Sequence, residues 1–360
     1  MLPYLIAIAL SVSIYFISYR YKMTHNAMLF TQGLAAIPLI VITGFKYIKV
    51  GTDTGSYVFY FNKIHSFADV LAISQSHGEF GYWFLTYLGR LLTDSYFIIF
   101  LLSSLIITPC YLYALKRFNL RTLSFICLLL IGPYFFQLNG MRQAIAIAIF
   151  SISVLFIIDK KPIAFLASIF IGFMFHKSMI ICLPLYFLFK DDIKPRKVAL
   201  ILFVFVVLLL SFEKFVSIAA SVDERYATYA DKKDTVGGAV VSTVNILLLF
   251  WFVLCRFWHK SVLASRPFDI LLTLYLLGVM VSALSIILQI DPSGFLRMSI
   301  YFIQLNVFLI PMTIFSFKDS GTRYFLMMAA IVVMFMYFYL TTSAFSNLVP
   351  YRFYGHGSLT

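Results

Sequence analysis

The run Asn139-Gly140-Met141-Arg142-Gln143 sets two amides and a guanidinium directly before an apolar stretch that continues to Phe150. A guanidinium fork at the start of a helix suits phosphate, because its planar N–H groups form bidentate bonds and the free backbone N–H groups add to the field. Arg297 stands before a second apolar helix start, and Arg225 and Arg352 lie in the tyrosine-bearing runs "RYATY" and "VPYRF". His176, in "FHKSM", is the first candidate for a proton acceptor, since an unperturbed imidazole titrates near neutrality, at about 6.5. Asp53 in "VGTDTGSY" and Glu79 in "GEFGYWFL" are the alternative bases. Together these groups could hold a lipid-linked pyrophosphate beside a proton acceptor. The competing reading of each lone arginine is a snorkelling anchor, and of the lone histidine a hydrogen-bonded turn residue.

The elements that must position them are membrane spans. Of 360 residues, 62% are hydrophobic and only 12% charged, with 40 Phe, 23 Tyr and a mean hydropathy of +0.94, far from a soluble domain. With about 20 apolar residues per crossing, candidate spans fall at 2–19, 28–45, 96–115, 120–138, 142–158, 162–189, 196–212, 240–258, 267–289, 295–316 and 323–342. The first is read as an uncleaved span and not a signal peptide, because no positive residue precedes it while Arg20 and Lys22 follow. The net charge of +13 lies mostly in short gaps between spans, where Lys and Arg set orientation; nucleic-acid binding is not expected.

Basic gaps alternate with acidic or weakly charged ones except around 162–189, where Lys160/Lys161 and Lys190–Lys197 both read as cytoplasmic. The alternation is restored if that stretch is two short helices, 162–175 and 177–189, turning at "FHKSM". Twelve spans follow, in a single all-α membrane domain over 1–360 with both termini outside. Arg142, His176, Arg225, Arg297, Arg352, Asp53 and Glu79 then share the outer side, opposite the face where anchoring charge is preferred.

Two outer gaps are long. Residues 46–95 are aromatic and half apolar, as expected of interfacial or re-entrant helices, and 213–239 carries an apolar face at helical spacing, as in an amphipathic lid. Tyr57, Tyr60, Tyr82, Trp83, Tyr226 and Tyr229 are candidates for sugar stacking or for interfacial anchoring. Cys110, Cys127, Cys182 and Cys255 are scattered singly and read as packing residues, with no metal site expected.

The motifs "VGTDTGSY", "GEFGYWFL", "NGMRQAIA" and "FHKSM", in that order and spacing, with weaker echoes in "RYATY", "LRMSIYF" and "VPYRF", resemble the EpsG-like family of Wzy-type polysaccharide polymerases. Thr54 and Lys49 depart from the family's pattern. The resemblance implies a fold like that of GT-C-type membrane glycosyltransferases, in the bacterial inner membrane with a periplasmic active site and no cofactor or metal. It further implies joining of undecaprenyl-pyrophosphate-linked oligosaccharides for O-antigen, capsule or exopolysaccharide, with a chain-length regulator as a candidate partner. On that reading the pyrophosphate ligands are Arg142, Arg297, Arg225, Arg352, Asn139 and Gln143, and the catalytic candidates are His176, Glu79 and Asp53. A flippase for lipid-linked oligosaccharide, or an outer-face glycan acyltransferase, would need many of the same features.

Overall fold

The computed structural model describes residues 1–21, 23–118, 120–210, 236–288, 292–344 and 346–355. These residues are mostly helical and fall into two compact units, Met1–Tyr186 with Tyr324–Thr360, and Phe187–Arg323. Among the described residues nine helices are long and apolar enough to cross a bilayer, so the chain is a polytopic membrane protein. The two halves of 162–189 are shorter apolar segments, and the helix Pro195–Leu210 has 16 residues and ends where the described residues stop. Residues 213–235 of the expected lid lie outside the described residues.

The helices of the first unit are α1 (Leu2–Arg20), α2 (His25–Gly44), α3 (Thr54–Lys63), α4 (Phe67–His77), α5 (Phe80–Leu92), α6 (Phe97–Phe118), α7 (Arg121–Leu130), α8 (Met141–Ile158) and α9 (Pro162–Phe175). A helix apolar on every face belongs in the middle of a bundle. That is the place of α8, 78% buried over its span against 28% for α1. Its neighbours α6 and α9 pack on either side. Leu2, Ile6, Leu10 and Ile17 of α1 stay exposed, leaving an apolar face of the kind lipid covers. Inside the unit, hydroxyls join helices in place of hydrophobic drive. Ser153 and Ser168 tie α8 to α9 at 2.8 Å. Thr43 of α2 bonds Ser104 of α6, which donates to Gln137 Oε1 at 2.7 Å. Gln137 belongs to a 3-10 turn, Tyr134–Leu138, that leads into α8.

Residues 46–95 fold into α3, α4 and α5. Ser66 and Asp69 close a capping box at the start of α4, and the backbone N–H groups of His65 and Ser66 hold the Asp69 carboxyl below its ordinary pKa. Tyr57, Val58, Phe61, Val70, Tyr82, Trp83 and Phe100 form one buried cluster, which Met141 joins. The start of α8 is thereby packed against the 46–95 segment.

The 14 residues of α9 reach only about 21 Å, short of a full crossing. The helix stops at His176, and a 3-10 turn, Lys177–Cys182, packs back on it. Gly172 permits this, since a Cβ there would lie 2.9 Å from Met179 Cγ. Gly81 likewise brings α5 against Met174 of α9, where a Cβ would meet Met174 Cβ at 3.0 Å.

The second unit begins with the remainder of α10 (Leu185–Phe189) and contains α11 (Pro195–Leu210), α12 (Val236–Trp258), α13 (Lys260–Leu263), α14 (Arg266–Ile287), α15 (Pro292–Ile303) and α16 (Asn306–Phe315). Arg256 makes a bidentate pair with Asp269 at 2.7 and 3.2 Å, linking α12 to the first turn of α14. Higher in the same pair Tyr275 donates to Asn245 Oδ1 at 2.6 Å. Trp251 Nε1 donates to Thr313 of α16 at 3.2 Å. The long helix α17 (Ser320–Ala344) leads to the C-terminal segment, which returns to the first unit.

Candidate functional site

Five pieces of the first unit meet at the N-terminus of α8: the loop 46–53, the Gly78–Glu79 turn before α5, the 3-10 turn Tyr134–Leu138, the His176 turn and the C-terminal segment 346–354. Gly140 forms the N-cap of α8. A Cβ there would sit 2.4 Å from Phe136 Cζ, so any larger residue at the turn from the 3-10 helix into α8 would have to displace the Phe136 ring. Two residues later the Arg142 guanidinium donates from Nη1 to Glu79 Oε2 in a charge-assisted pair. The Glu79 side chain is 1% exposed and that of Arg142 24%. Rings of Trp83, Tyr57 and Tyr82 surround the guanidinium at 5.4, 5.9 and 5.9 Å. Arg142 Nε is buried and has no hydrogen-bond partner among the described residues.

Glu79 is the hub of this arrangement. Its backbone is left-handed, φ 61° and ψ 42°, immediately after Gly78 at φ 71° and ψ −156°. Such geometry at a non-glycine residue costs about 1–3 kcal/mol and persists where its surroundings over-determine it. Here they do: Trp83 Nε1 donates to Gly78 O at 2.7 Å, and Tyr82 N–H to Glu79 O at 3.0 Å. The second carboxylate oxygen, Oε1, accepts from the Lys177 N–H at 3.4 Å and lies 3.8 Å from His176 Nε2.

The surroundings of His176 define its tautomer. Ser178 N–H can only donate, and it donates to His176 Nδ1 at 3.3 Å, with Ser178 Oγ 2.6 Å from the same nitrogen. Nδ1 is therefore an acceptor within the turn, and a neutral ring carries its proton on Nε2, facing Glu79. This geometry suits a residue that orients Glu79 better than one that takes a proton from an incoming hydroxyl.

Asn139 and Asp53 occupy the other side. Asn139 Oδ1 accepts from Thr52 N–H at 2.8 Å, and its Nδ2 donates to Ser346 O at 3.1 Å. The amide thus staples the loop 46–53 and the C-terminal segment to the start of α8. Asp53, half-buried at the N-cap position of α3, accepts from Thr52 Oγ1 at 2.9 Å. Gln143 is buried in the first turn of α8.

Arg352 is exposed on the C-terminal segment. That segment is fixed by Tyr47 N–H to Arg352 O (2.9 Å), Tyr354 N–H to Phe45 O (2.8 Å), Gly51 N–H to Asn347 O (3.0 Å), Tyr4 Oη to Leu348 O (3.0 Å) and Tyr351 Oη to Ile42 O (2.8 Å). The structure thus brings together Arg142, Glu79 and His176, and Asn139 with the loop that carries Asp53. Arg352 lies on the segment stapled to that loop. Arg297 is half-buried on α15 of the second unit, and Arg225 lies outside the described residues.

Two features of the site were not anticipated from sequence. Tyr57, Tyr82 and Trp83 neither anchor at an interface nor face solvent for a sugar. They are buried, at 5%, 1% and 1% exposure, as walls around Arg142. Lys46, fully buried, donates from Nζ to Thr54 Oγ1 at 2.8 Å and to Leu138 O at 2.5 Å, and sits 4.4 Å from the centre of the Phe100 ring. Burial pushes its amine down to about 7, against the opposing pull of Asp53. The signal available in sequence was a lysine directly after an apolar span and before Gly-Thr-Asp. Among the described residues no three His, Cys, Asp or Glu side chains cluster as metal ligands would.

The family model described as the EpsG family matches residues 29–353. That interval contains all five pieces of the site apart from Tyr354. No curated protein and no solved structure matches the chain.

Proposed function

Because the chain belongs to the EpsG family, one associated with exopolysaccharide biosynthesis, we propose that it is a polymerase. It joins undecaprenyl-pyrophosphate-linked oligosaccharide repeat units at the periplasmic face of the bacterial inner membrane. The fold is then a GT-C-like bundle of twelve spans with both termini outside, completed by the two short helices of 162–189 and by 196–212.

The observation that carries the reading is Arg142. It is a guanidinium at a helix N-terminus, oriented by a buried carboxylate and three aromatic rings, with an unspent buried donor at Nε. An unsatisfied charged donor is costly, and a phosphate oxygen would relieve it. In the reaction a hydroxyl oxygen of one lipid-linked unit attacks the anomeric carbon of another. The bond from that carbon to the pyrophosphate oxygen breaks, and the electron pair leaves with the lipid pyrophosphate. Arg142 and the α8 N-terminus stabilise that charge, and loss of one such donor typically costs about 2.7–4 kcal/mol in the transition state. Arg297 is a second pyrophosphate ligand, and Arg225 and Arg352 are further contacts or gates.

The hydroxyl proton passes to a carboxylate, and half-buried Asp53 is the accessible one. Glu79 and His176 are positioning residues for Arg142. Asn139 and Gln143 shape the turn that receives the donor.

The test is polymerisation of defined lipid-linked repeat units by purified protein. Wild type is expected to produce a ladder of products with release of undecaprenyl pyrophosphate, and Arg142→Ala at equal abundance none. A wild-type protein that moves these lipids across vesicles without lengthening the glycan would instead support a flippase. Long polymer from Arg142→Ala would refute the assignment of the donor site.

A further inference from the structure

Lys46 is the most anomalous group in the first unit that the proposed chemistry does not use. A lysine is almost never fully buried unless its donors are satisfied. Here two neutral acceptors satisfy it, and each belongs to a different half of the site. Thr54 opens α3, next to Asp53, and its own hydroxyl donates onward to Val50 O at 2.5 Å. The hydrogen bonds therefore run in one direction, from Lys46 Nζ to Thr54 Oγ1 and from Thr54 Oγ1 to Val50 O, closing the loop that carries Thr52 and Asp53. The other acceptor, Leu138 O, ends the 3-10 turn directly before Asn139. Spanning these acceptors from position 46 takes a long side chain that can donate twice. A neutral amine has two N–H groups for two acceptors, so the link survives loss of the proton.

We propose that Lys46 is a positioning residue of the polymerase: its buried amine clamps the 50–54 loop to the Leu138 carbonyl and so fixes Asp53 relative to Arg142. The proposal rests on the polymerase reading. It assigns Lys46 no contact with substrate. The Asn139 staple fixes the same loop from the solvent side, through Thr52, whereas Lys46 fixes it from beneath. This close seating needs glycine at position 51, φ 92°, because a Cβ there would lie 2.3 Å from Leu138 O.

The test compares wild type, Lys46→Met and Thr54→Val as purified full-length proteins with defined lipid-linked repeat units. It measures kcat and donor KM per folded molecule, and hydrogen exchange of the peptides that cover 47–56 and 136–144. Lys46→Met is expected to lower kcat about 10- to 100-fold, as misplacement of a reacting group does. Donor KM should move less than about threefold, because Arg142 keeps its partners. Exchange should quicken in those two peptides and not in α8 beyond residue 144 or in α9. Thr54→Val should also lower kcat, and the double variant should lose less than the two single losses combined, since the Lys46–Thr54 bond is common to both.

Wild-type kcat in Lys46→Met, or a loss explained wholly by the folded fraction, overturns the proposal. If Lys46→Met does not fold, wild-type kcat and exchange in Thr54→Val overturn it equally. Failure of the polymerase reading is a separate result: wild type would then be inactive, while the exchange data still report whether the clamp exists.

Discussion

Arg142 and Glu79 form a nearly dry ion pair, and a cycle of Arg142→Met, Glu79→Met and the double variant separates its structural from its chemical role. In Arg142→Met the Glu79 carboxylate, 1% exposed, keeps among the described residues the Lys177 N–H at 3.4 Å and the neighbouring His176. Removing one partner of a buried pair typically costs about 3–5 kcal/mol, because the other charge is left uncompensated. At roughly 2–4 °C per kcal/mol for a domain of this size, the thermal midpoint should fall by about 6–20 °C. Glu79→Met should cost less, since a quarter of the Arg142 side chain still reaches the surface. In the double variant both charges are gone and two apolar chains of similar volume replace them, so stability should return to within about 1–2 kcal/mol of wild type. Unfolding in detergent followed by tryptophan fluorescence measures all four proteins. Polymerisation should be lost in Arg142→Met and in the double variant, even where stability returns. Additive destabilisation in the double variant would refute the pairing as an energetic unit. Polymer from the double variant would refute Arg142 as the donor ligand.

Three further outcomes follow from the geometry. Burial holds the Lys46 amine down to about 7 from an ordinary 10.5, so between these values the unfolded chain keeps a proton that the folded chain has released. Its contribution to stability should therefore rise with pH across that window, and the gap in midpoint between wild type and Lys46→Met, measured from pH 7 to 9.5, should shift in favour of wild type; a constant gap contradicts this. Gly78→Ala places a Cβ 2.3 Å from Lys177 Cε at φ 71°. It should lower the midpoint and reduce polymerisation at least tenfold, with Lys177→Ala in addition recovering only part, because the backbone strain of about 1–3 kcal/mol remains. Asn139→Ala removes both staples and should speed hydrogen exchange in residues 346–354, whereas Asn139→Asp, which keeps the acceptor for Thr52 N–H, should leave the 50–54 loop protected.

Long apolar runs were legible because lipid imposes one rule on every residue of a span. The stretches read at 2–19, 28–45, 96–115 and 142–158 coincide with α1, α2, α6 and α8 to within a few residues. The turn at "FHKSM" was read for a different reason: two basic gaps assigned to one side demand an even number of crossings between them, and α9 does end at His176. Residues 46–95 were read as interfacial or re-entrant helices without bounds. Where the three helices start and stop depends on caps and on packing against α6 and α8, which local pattern does not encode.

The site divides along the same line. Arg142 stood out because a charge at the mouth of an apolar run is locally costly, and Asn139 and Gln143 because they flank it. What they do depends on partners far away in the chain. Arg142 meets Glu79 across 63 residues, and Asn139 meets Ser346 across 207. Glu79 and His176 were each weighed as a base from residue type alone. Only the contacts of Ser178 with His176 Nδ1, of Arg142 with Glu79, and the 3.8 Å approach of His176 Nε2 to Glu79 show both groups already engaged. Lys46 was hidden by the assumption that serves best elsewhere, that a lysine beside a span is an interfacial charge. Its position in sequence is that of an anchor, and its zero exposure makes it a clamp. The residues that assemble this site are thus legible where they violate the membrane's rules, and illegible where they obey them for another purpose.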